Sequence, residues 1–133
     1  ADTLVYAQGQ VLGKPEDQRD AARMLRLLSG AWHEVYTGVC LLGPGVSKLA
    51  HEVTQVLFCR LTEKEIAAYC DSGEAMGKAG AYAIQGNGGM YVEQVRGSYT
   101  NVVGLPTALV RRLLMETDDY YKDGISTYGT HRA

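Results

Sequence analysis

At 133 residues the chain has the length of one domain. With 46% hydrophobic and 21% charged residues it has enough apolar material for a core, which excludes a wholly disordered chain. Thirteen basic against fifteen acidic residues leave a formal charge of −2, which argues against a dedicated nucleic-acid binder, and the short apolar runs argue against a bilayer span.

Thr3 to Ala7 reads as a strand, and Val11-Leu12 returns antiparallel after the turn Gln8-Gly9-Gln10. Gly13-Lys14-Pro15 is a loop. Asp17 caps a helix that runs to about Leu28, with Asp20 in its first turn and Ala21, Met24, Leu25 and Leu28 on one face. Ser29-Gly30 ends it. Trp32 to Leu42 and Glu52 to Leu61 are predicted strands that pair across a loop opened by Gly43-Pro44-Gly45. Thr62-Glu63-Lys64-Glu65 is a capping box, and the helix behind it reaches about Cys70. A Gly-rich stretch from Gly73 to Gly89 encloses a short expected strand, Ala81 to Gln85. Met90 to Val95 alternates as another strand. Ser98 to Pro106 reads as a loop, and Pro106 opens a helix to about Met115. Residues 1–115 thus form the expected domain, and 116–133 a polar C-terminal tail.

Cys40, Cys59 and Cys70 are odd in number and lack CxxC spacing, so neither a disulfide framework nor a zinc site is suggested. They read as small buried hydrophobes in a reducing compartment, which places the chain in the cytoplasm. His33, His51 and His131 show no metal-ligand spacing and read as exposed or satisfied side chains.

A few residues stand out as able to carry chemistry. Asp2, at the head of the first strand, could bind a divalent cation or take a proton from water; a solvated Asp is the plainer reading. Lys14 lies between a Gly that allows close backbone approach and a stiff Pro, a place suited to holding a point charge for an anion. The Gly73–Gly89 stretch carries Lys78, Tyr82 and Gln85. A Gly-rich loop with a Lys can cradle phosphates through backbone N–H groups, although neither GxxxxGK[ST] nor a strand-borne GxGxxG is present. Gln85, donor and acceptor together, could read a base edge.

Taken in order, these pieces form a set: Ala1-Asp2-Thr3-Leu4-Val5, Leu12-Gly13-Lys14-Pro15, Ala22-Arg23-Met24-Leu25, Leu28-Ser29-Gly30, His33-Glu34-Val35, Thr37-Gly38-Val39, Lys78-Ala79-Gly80-Ala81-Tyr82-Ala83-Ile84-Gln85-Gly86 and Asn101-Val102-Val103-Gly104-Leu105-Pro106. The set closely resembles the Maf family of nucleoside triphosphate pyrophosphatases, from Ala1 to about Met115. The resemblance implies an α/β fold with a mixed, curved sheet, flanking helices and two lobes around a nucleotide cleft, similar to the inosine-triphosphate pyrophosphatase group. It implies hydrolysis of a nucleoside triphosphate to the monophosphate and pyrophosphate with a divalent cation, Mg²⁺ or alternatively Mn²⁺, bound in part by Asp2. Asp2 would be the proton acceptor, Lys14 would contact phosphate, Lys78 would support the phosphate side, and Thr3 and Gln85 would influence substrate choice. The Asp-Thr and Ile-Gln-Gly versions resemble the branch acting on dTTP and UTP, with modified pyrimidine triphosphates as further substrates. A homodimer is the assembly expected of the family.

Two departures accompany the resemblance. The family carries a front segment with a Ser-x-Arg-Arg loop and a metal-binding Glu, and Ala1 is not preceded by one, so either the natural protein is longer or the chain is a crippled remnant. Gly77 and Ala75 stand where the family commonly has Asp and Pro. The alternative function is therefore a truncated, Maf-like pseudoenzyme that serves as a nucleotide-binding or interaction module.

Overall fold

A computed structural model describes residues 1–117. Five strands form one open sheet in the order β2-β1-β3-β4-β5: β1 Asp2–Ala7, β2 Gln10–Leu12, β3 Trp32–Gly43, β4 Val46–Phe58 and β5 Val92–Arg96. Four helices accompany it: α1 Gln18–Leu28, α2 Glu63–Asp71, α3 Tyr99–Val103 and α4 Thr107–Met115. The α/β class with an open sheet and flanking helices is as expected, but the pairing is not mixed. Every strand pair among the described residues is antiparallel. Hairpins account for two of the pairs: they connect β1 to β2 and β3 to β4, and a connection that short can only join antiparallel neighbours.

The turns explain the register. Ala7 faces Gln10 across Gln8 and Gly9, both with positive φ (47° and 79°), the twist-matched two-residue hairpin in which Gly carries little penalty. Gly43 faces Val46 across Pro44-Gly45, so β4 begins at Val46 rather than at Glu52. The tight turn lets pairing propagate at once, through Ser47 and Lys48, into the stretch expected as a loop. β4 ends at Phe58, three residues short of the expected Leu61, where Cys59 passes its amide to the Tyr91 carbonyl.

Alternation along the strands puts Val5, Ala7, Val35, Val56 and Phe58 on the face that the helices cover. Ala21, Met24, Leu25 and Leu28 of α1 and Ile66, Tyr69 and Cys70 of α2 close onto it. Asp17 caps α1 by accepting the Asp20 amide, and both halves of the Thr62–Glu65 capping box are formed. A second, smaller cluster joins Val39 to Leu109 and Leu113 of α4 further along the β3–β4 hairpin. The opposite sheet face carries Leu4, Tyr6, Trp32 and Tyr36, all exposed. Of the cysteines, Cys70 is buried as expected; Cys40 is exposed, because its strand position faces away from the helices.

Two segments differ from their sequence reading. Ala81–Gln85 forms no strand: Gly80 and Ala81 both take positive φ (72° and 69°), which breaks extended pairing, and Ala79–Ala81 and Asn87–Tyr91 are short 3-10 turns instead. Ser98–Pro106 is not all loop: Ser98 accepts the Asn101 amide and caps α3, which Gly104 ends. Of the expected polar tail only Glu116 and Thr117 lie within the described residues. No described helix is long and apolar enough to cross a membrane.

Leu25 is fully buried, whereas Leu49 is 82% exposed. Leu25→Ala is expected to lower the unfolding free energy by about 2–5 kcal/mol, and Leu49→Ala by less than about 0.5 kcal/mol, in urea titrations.

Candidate functional site

The head of β1, the loop after β2, the Gly-rich segment and the end of α3 meet around a cleft of about 340 Å³. Asp2, Thr3, Lys14, Lys78 and Gln85 all line it. These five residues come from three separate stretches of chain: the head of β1, the loop after β2 and the Gly-rich segment. Val5 and Val35 form part of the lining, and Val102, Val103 and Gly104 border it from α3. Asp2, Lys14, Lys78 and Gln85 are exposed there, and Thr3 is half-buried. Two lysines against one aspartate give the cleft a positive charge on a chain that is negative overall, the electrostatic signature of an anion site.

A single backbone bond brings the two lysine loops together. The Gly80 amide donates to the Gly13 carbonyl at 3.0 Å, so Lys14 and Lys78 sit on adjoining loops. Gly80 lies so close to β1 that a Cβ there would stand 2.8 Å from Val5 Cγ2. Close approach and a positive φ together require glycine at this position.

Further along, the Gly-rich loop is built around Glu74. Its carboxylate accepts the Tyr69 hydroxyl at 2.5 Å and the amides of Asn87 and Gly88 at 3.1 and 3.0 Å. Tyr69 Oη in turn accepts the Ala83 amide. A Cβ on Gly86 would meet the Glu74 carboxylate, and one on Gly88 would meet the Ala83 carbonyl at 2.7 Å. The Tyr69 hydroxyl foremost, and then the two amides, hold the Glu74 carboxyl below its ordinary value against the opposing effect of burial. Burial, reinforced by Glu74, pushes the Tyr69 phenol up. Glu74 and Tyr69 thus fix the loop that presents Lys78 and Gln85. Sequence reasoning did not give them this role; the glycines at 86 and 88, one packed against the Glu74 carboxylate and the other against Ala83 and the Tyr69 hydroxyl, are the signal that could have suggested it.

His33 anchors the same loop from below. Its Nε2 is 2.7 Å from the hydroxyl of Tyr82, and the two rings form an edge-to-face cluster with Phe58. His33 is buried, while Nδ1 has no partner among the described residues. It is neither the exposed nor the fully satisfied histidine expected, since only one ring nitrogen is bonded; it seats Tyr82, which borders the cleft. His51 is exposed on β4, and His131 lies outside the described residues.

Asp2 is the one carboxylate that lines the cleft, and no group of three or more His, Cys, Asp or Glu side chains is gathered anywhere among the described residues. A cation held by protein ligands alone does not fit this donor set. Mg²⁺ shared between one carboxylate, phosphate oxygens and water does.

Burial of His33 pushes its pKa down to about 4, from 6.5 when unfolded. A lowered folded value adds stability that is complete above the unfolded value and drains away as the pH falls toward the folded one. Unfolding free energy is therefore expected to drop between pH 6.5 and 4 by up to about 3 kcal/mol from this residue. In urea titrations His33→Gln should show a shallower fall than the wild type over that interval. Gly80→Ala is expected to cost about 2 kcal/mol or more in the same assay, because it adds both the Val5 collision and a disfavoured φ.

A family model described as "Maf-like protein" matches residues 1–117. Among curated proteins, the chain is 53% identical over 114 residues to a dTTP/UTP pyrophosphatase of Koribacter versatilis, covering 86% of this chain and 59% of that protein. It is 55% identical over 118 residues to one of Anaeromyxobacter dehalogenans (86% and 61%) and 43% identical over 116 residues to one of Aquifex aeolicus (87% and 61%). The chain spans about three fifths of the length of these relatives. With all of the described residues matched, and with the motif residues assembled on one cleft, the chain belongs to the Maf-like protein family.

Proposed function

We propose that the chain carries the site of a nucleoside triphosphate pyrophosphatase that converts dTTP or UTP, and modified pyrimidine triphosphates, to the monophosphate and pyrophosphate. The observation that carries this reading is the convergence of Asp2, Thr3, Lys14, Lys78 and Gln85 on one positively charged cleft. The relatives named dTTP/UTP pyrophosphatase support the choice of substrate.

A triphosphate carries a large negative charge, so attack at its α-phosphorus needs that charge offset. Lys14 and Lys78, on loops tied by the Gly80–Gly13 bond, provide two positive groups for the phosphate chain. The water oxygen bonds to the α-phosphorus, and the bond from that phosphorus to the α,β-bridging oxygen breaks. The proton of the water goes to the Asp2 carboxylate, and pyrophosphate leaves as an anion that needs no proton from the protein at that moment. Asp2 would also hold Mg²⁺ or Mn²⁺ together with phosphate oxygens, and the cation when bound would offset further charge. At the other end of the ligand, Thr3 and Gln85 offer hydroxyl and amide groups to the base.

The test is pyrophosphate release from dTTP and UTP by the full chain with Mg²⁺, beside Asp2→Asn. Release is expected from the wild type, and the substitution should slow it by about a hundredfold or more. Undiminished release by Asp2→Asn would remove Asp2 from its role. Binding of UTP without release by the wild type would replace hydrolysis with a nucleotide-binding or interaction module.

A further inference from the structure

Thr3 does not stand alone in the cleft wall. Its hydroxyl lies 2.9 Å from that of Thr37, and Thr37 Oγ1 lies 3.4 Å from the backbone carbonyl of Asn101. Thr37 and Asn101 are completely buried. The Asn101 side chain is pinned to the sheet: Nδ2 donates to the Val35 carbonyl at 3.0 Å and to Thr54 Oγ1 at 2.9 Å, and Thr54 spends its own proton on the Ser98 carbonyl. Because Val35 offers a carbonyl, which only accepts, the orientation of the amide is set. The carbonyl of Asn101 is thereby held in place beside Thr37.

A hydroxyl has one proton to give. If Thr37 gives its proton to Asn101, it accepts from Thr3, and both hydroxyl protons are used inside the protein. If Thr37 gives its proton to Thr3 instead, the Thr3 proton has no partner in the protein, and the Asn101 carbonyl loses one of its two donors, keeping only the Gly104 amide. The first arrangement makes one more hydrogen bond within the protein, and at the fully buried Asn101 carbonyl an unmade bond is costly. We propose that Thr37 is a positioning residue that turns the Thr3 hydroxyl inward as a donor, so that Thr3 presents lone pairs to the cleft and selects a base whose facing edge carries a ring N–H. This rests on the reading of the cleft as a nucleotide site.

The chemistry separates pyrimidines that have the same size. The keto-imide ring of uracil or thymine carries N3–H, a donor, between two carbonyls. The N3 of cytosine is an acceptor and would face the lone pairs of Thr3. Gln85 cannot make this distinction alone, since its amide can turn to offer either a donor or an acceptor. A hydroxyl with a fixed direction can.

The experiment is equilibrium binding of the α,β-imido analogues of UTP and CTP, which resist cleavage, to the full chain and its variants. Thr37→Val keeps the shape and removes the hydroxyl; Thr37→Ser restores it; Thr37→Ala, which adds no methyl where the hydroxyl was, is measured alongside in case Val does not fit. The wild type should prefer the UTP analogue. Thr37→Val or Thr37→Ala should reduce that preference by about tenfold, because Thr3 is then free to turn and donate, while affinity for tripolyphosphate stays unchanged. Thr37→Ser should keep the wild-type preference. In a Thr3→Val background, Thr37→Val should have no further effect on it. A preference that survives both Thr37→Val and Thr37→Ala overturns the inference and leaves the nucleotide reading standing. Absence of nucleotide binding by the wild type overturns both.

Discussion

The contact between Gly80 and the first strand is the constraint on which the cleft depends. Lys14 and Lys78 are separated by 64 positions in sequence, and like charges do not gather unaided. What brings them together is a neutral backbone bond from the Gly80 amide to the Gly13 carbonyl, made possible by a residue with no side chain lying against Val5. Sheet, Gly-Lys-Pro loop and Gly-rich loop are joined at that point. The Glu74–Tyr69 pair and the His33–Tyr82 pair then hold the remainder of the Gly-rich loop, from its own interior and from the core. The exposed lysines do none of this themselves, and so remain available to a ligand.

The division of labour between the two kinds of residue is visible in their surroundings. Lys14, Lys78, Gln85 and Asp2 make no hydrogen bond to another described side chain that would consume their function. Glu74, Tyr69, His33, Thr37 and Asn101 are spent on the protein. Local helix elements are likewise self-sufficient: the capping box of α2 satisfies its own first turn, and α1 reaches α2 through Arg26 and Glu63 at the surface. The cleft therefore sits on a frame whose polar groups are largely already paired, which is what preorganisation toward an anionic ligand requires.

Much of the fold was legible because its signals are local. Apolar spacing placed the buried face of α1, Asp17 and Thr62 placed two helix starts, and the Pro106 signal placed α4. The residues of the cleft were legible as an ordered set of motifs, and the structure brings all five together. What could not be read were features decided by distant partners. Ala81–Gln85 has the composition of a strand, but its amides are claimed by Lys78 and Tyr69 and its backbone turns left-handed. β4 starts early because a two-residue turn zips it to β3. The role of Glu74 rests on a phenol and two amides that only the folded loop brings to it. Hairpin geometry likewise decides two of the four antiparallel pairs among the described strands, and the motifs say nothing of the other two.

The order in which the cleft can come into being follows from the Asn101 staple. Its amide bonds the Val35 carbonyl across 66 positions, and the Thr37 hydroxyl reaches it across 64. Contacts of such long sequence separation form late, since the chain must pay for closing the loop before they return anything. The hairpins β1–β2 and β3–β4 need only near neighbours and can assemble first. Thr3 therefore acquires its full partner network only once α3 has joined the sheet. Because Asp2 and Gly104 border the same cleft, its two sides come together only when α3 has joined the sheet.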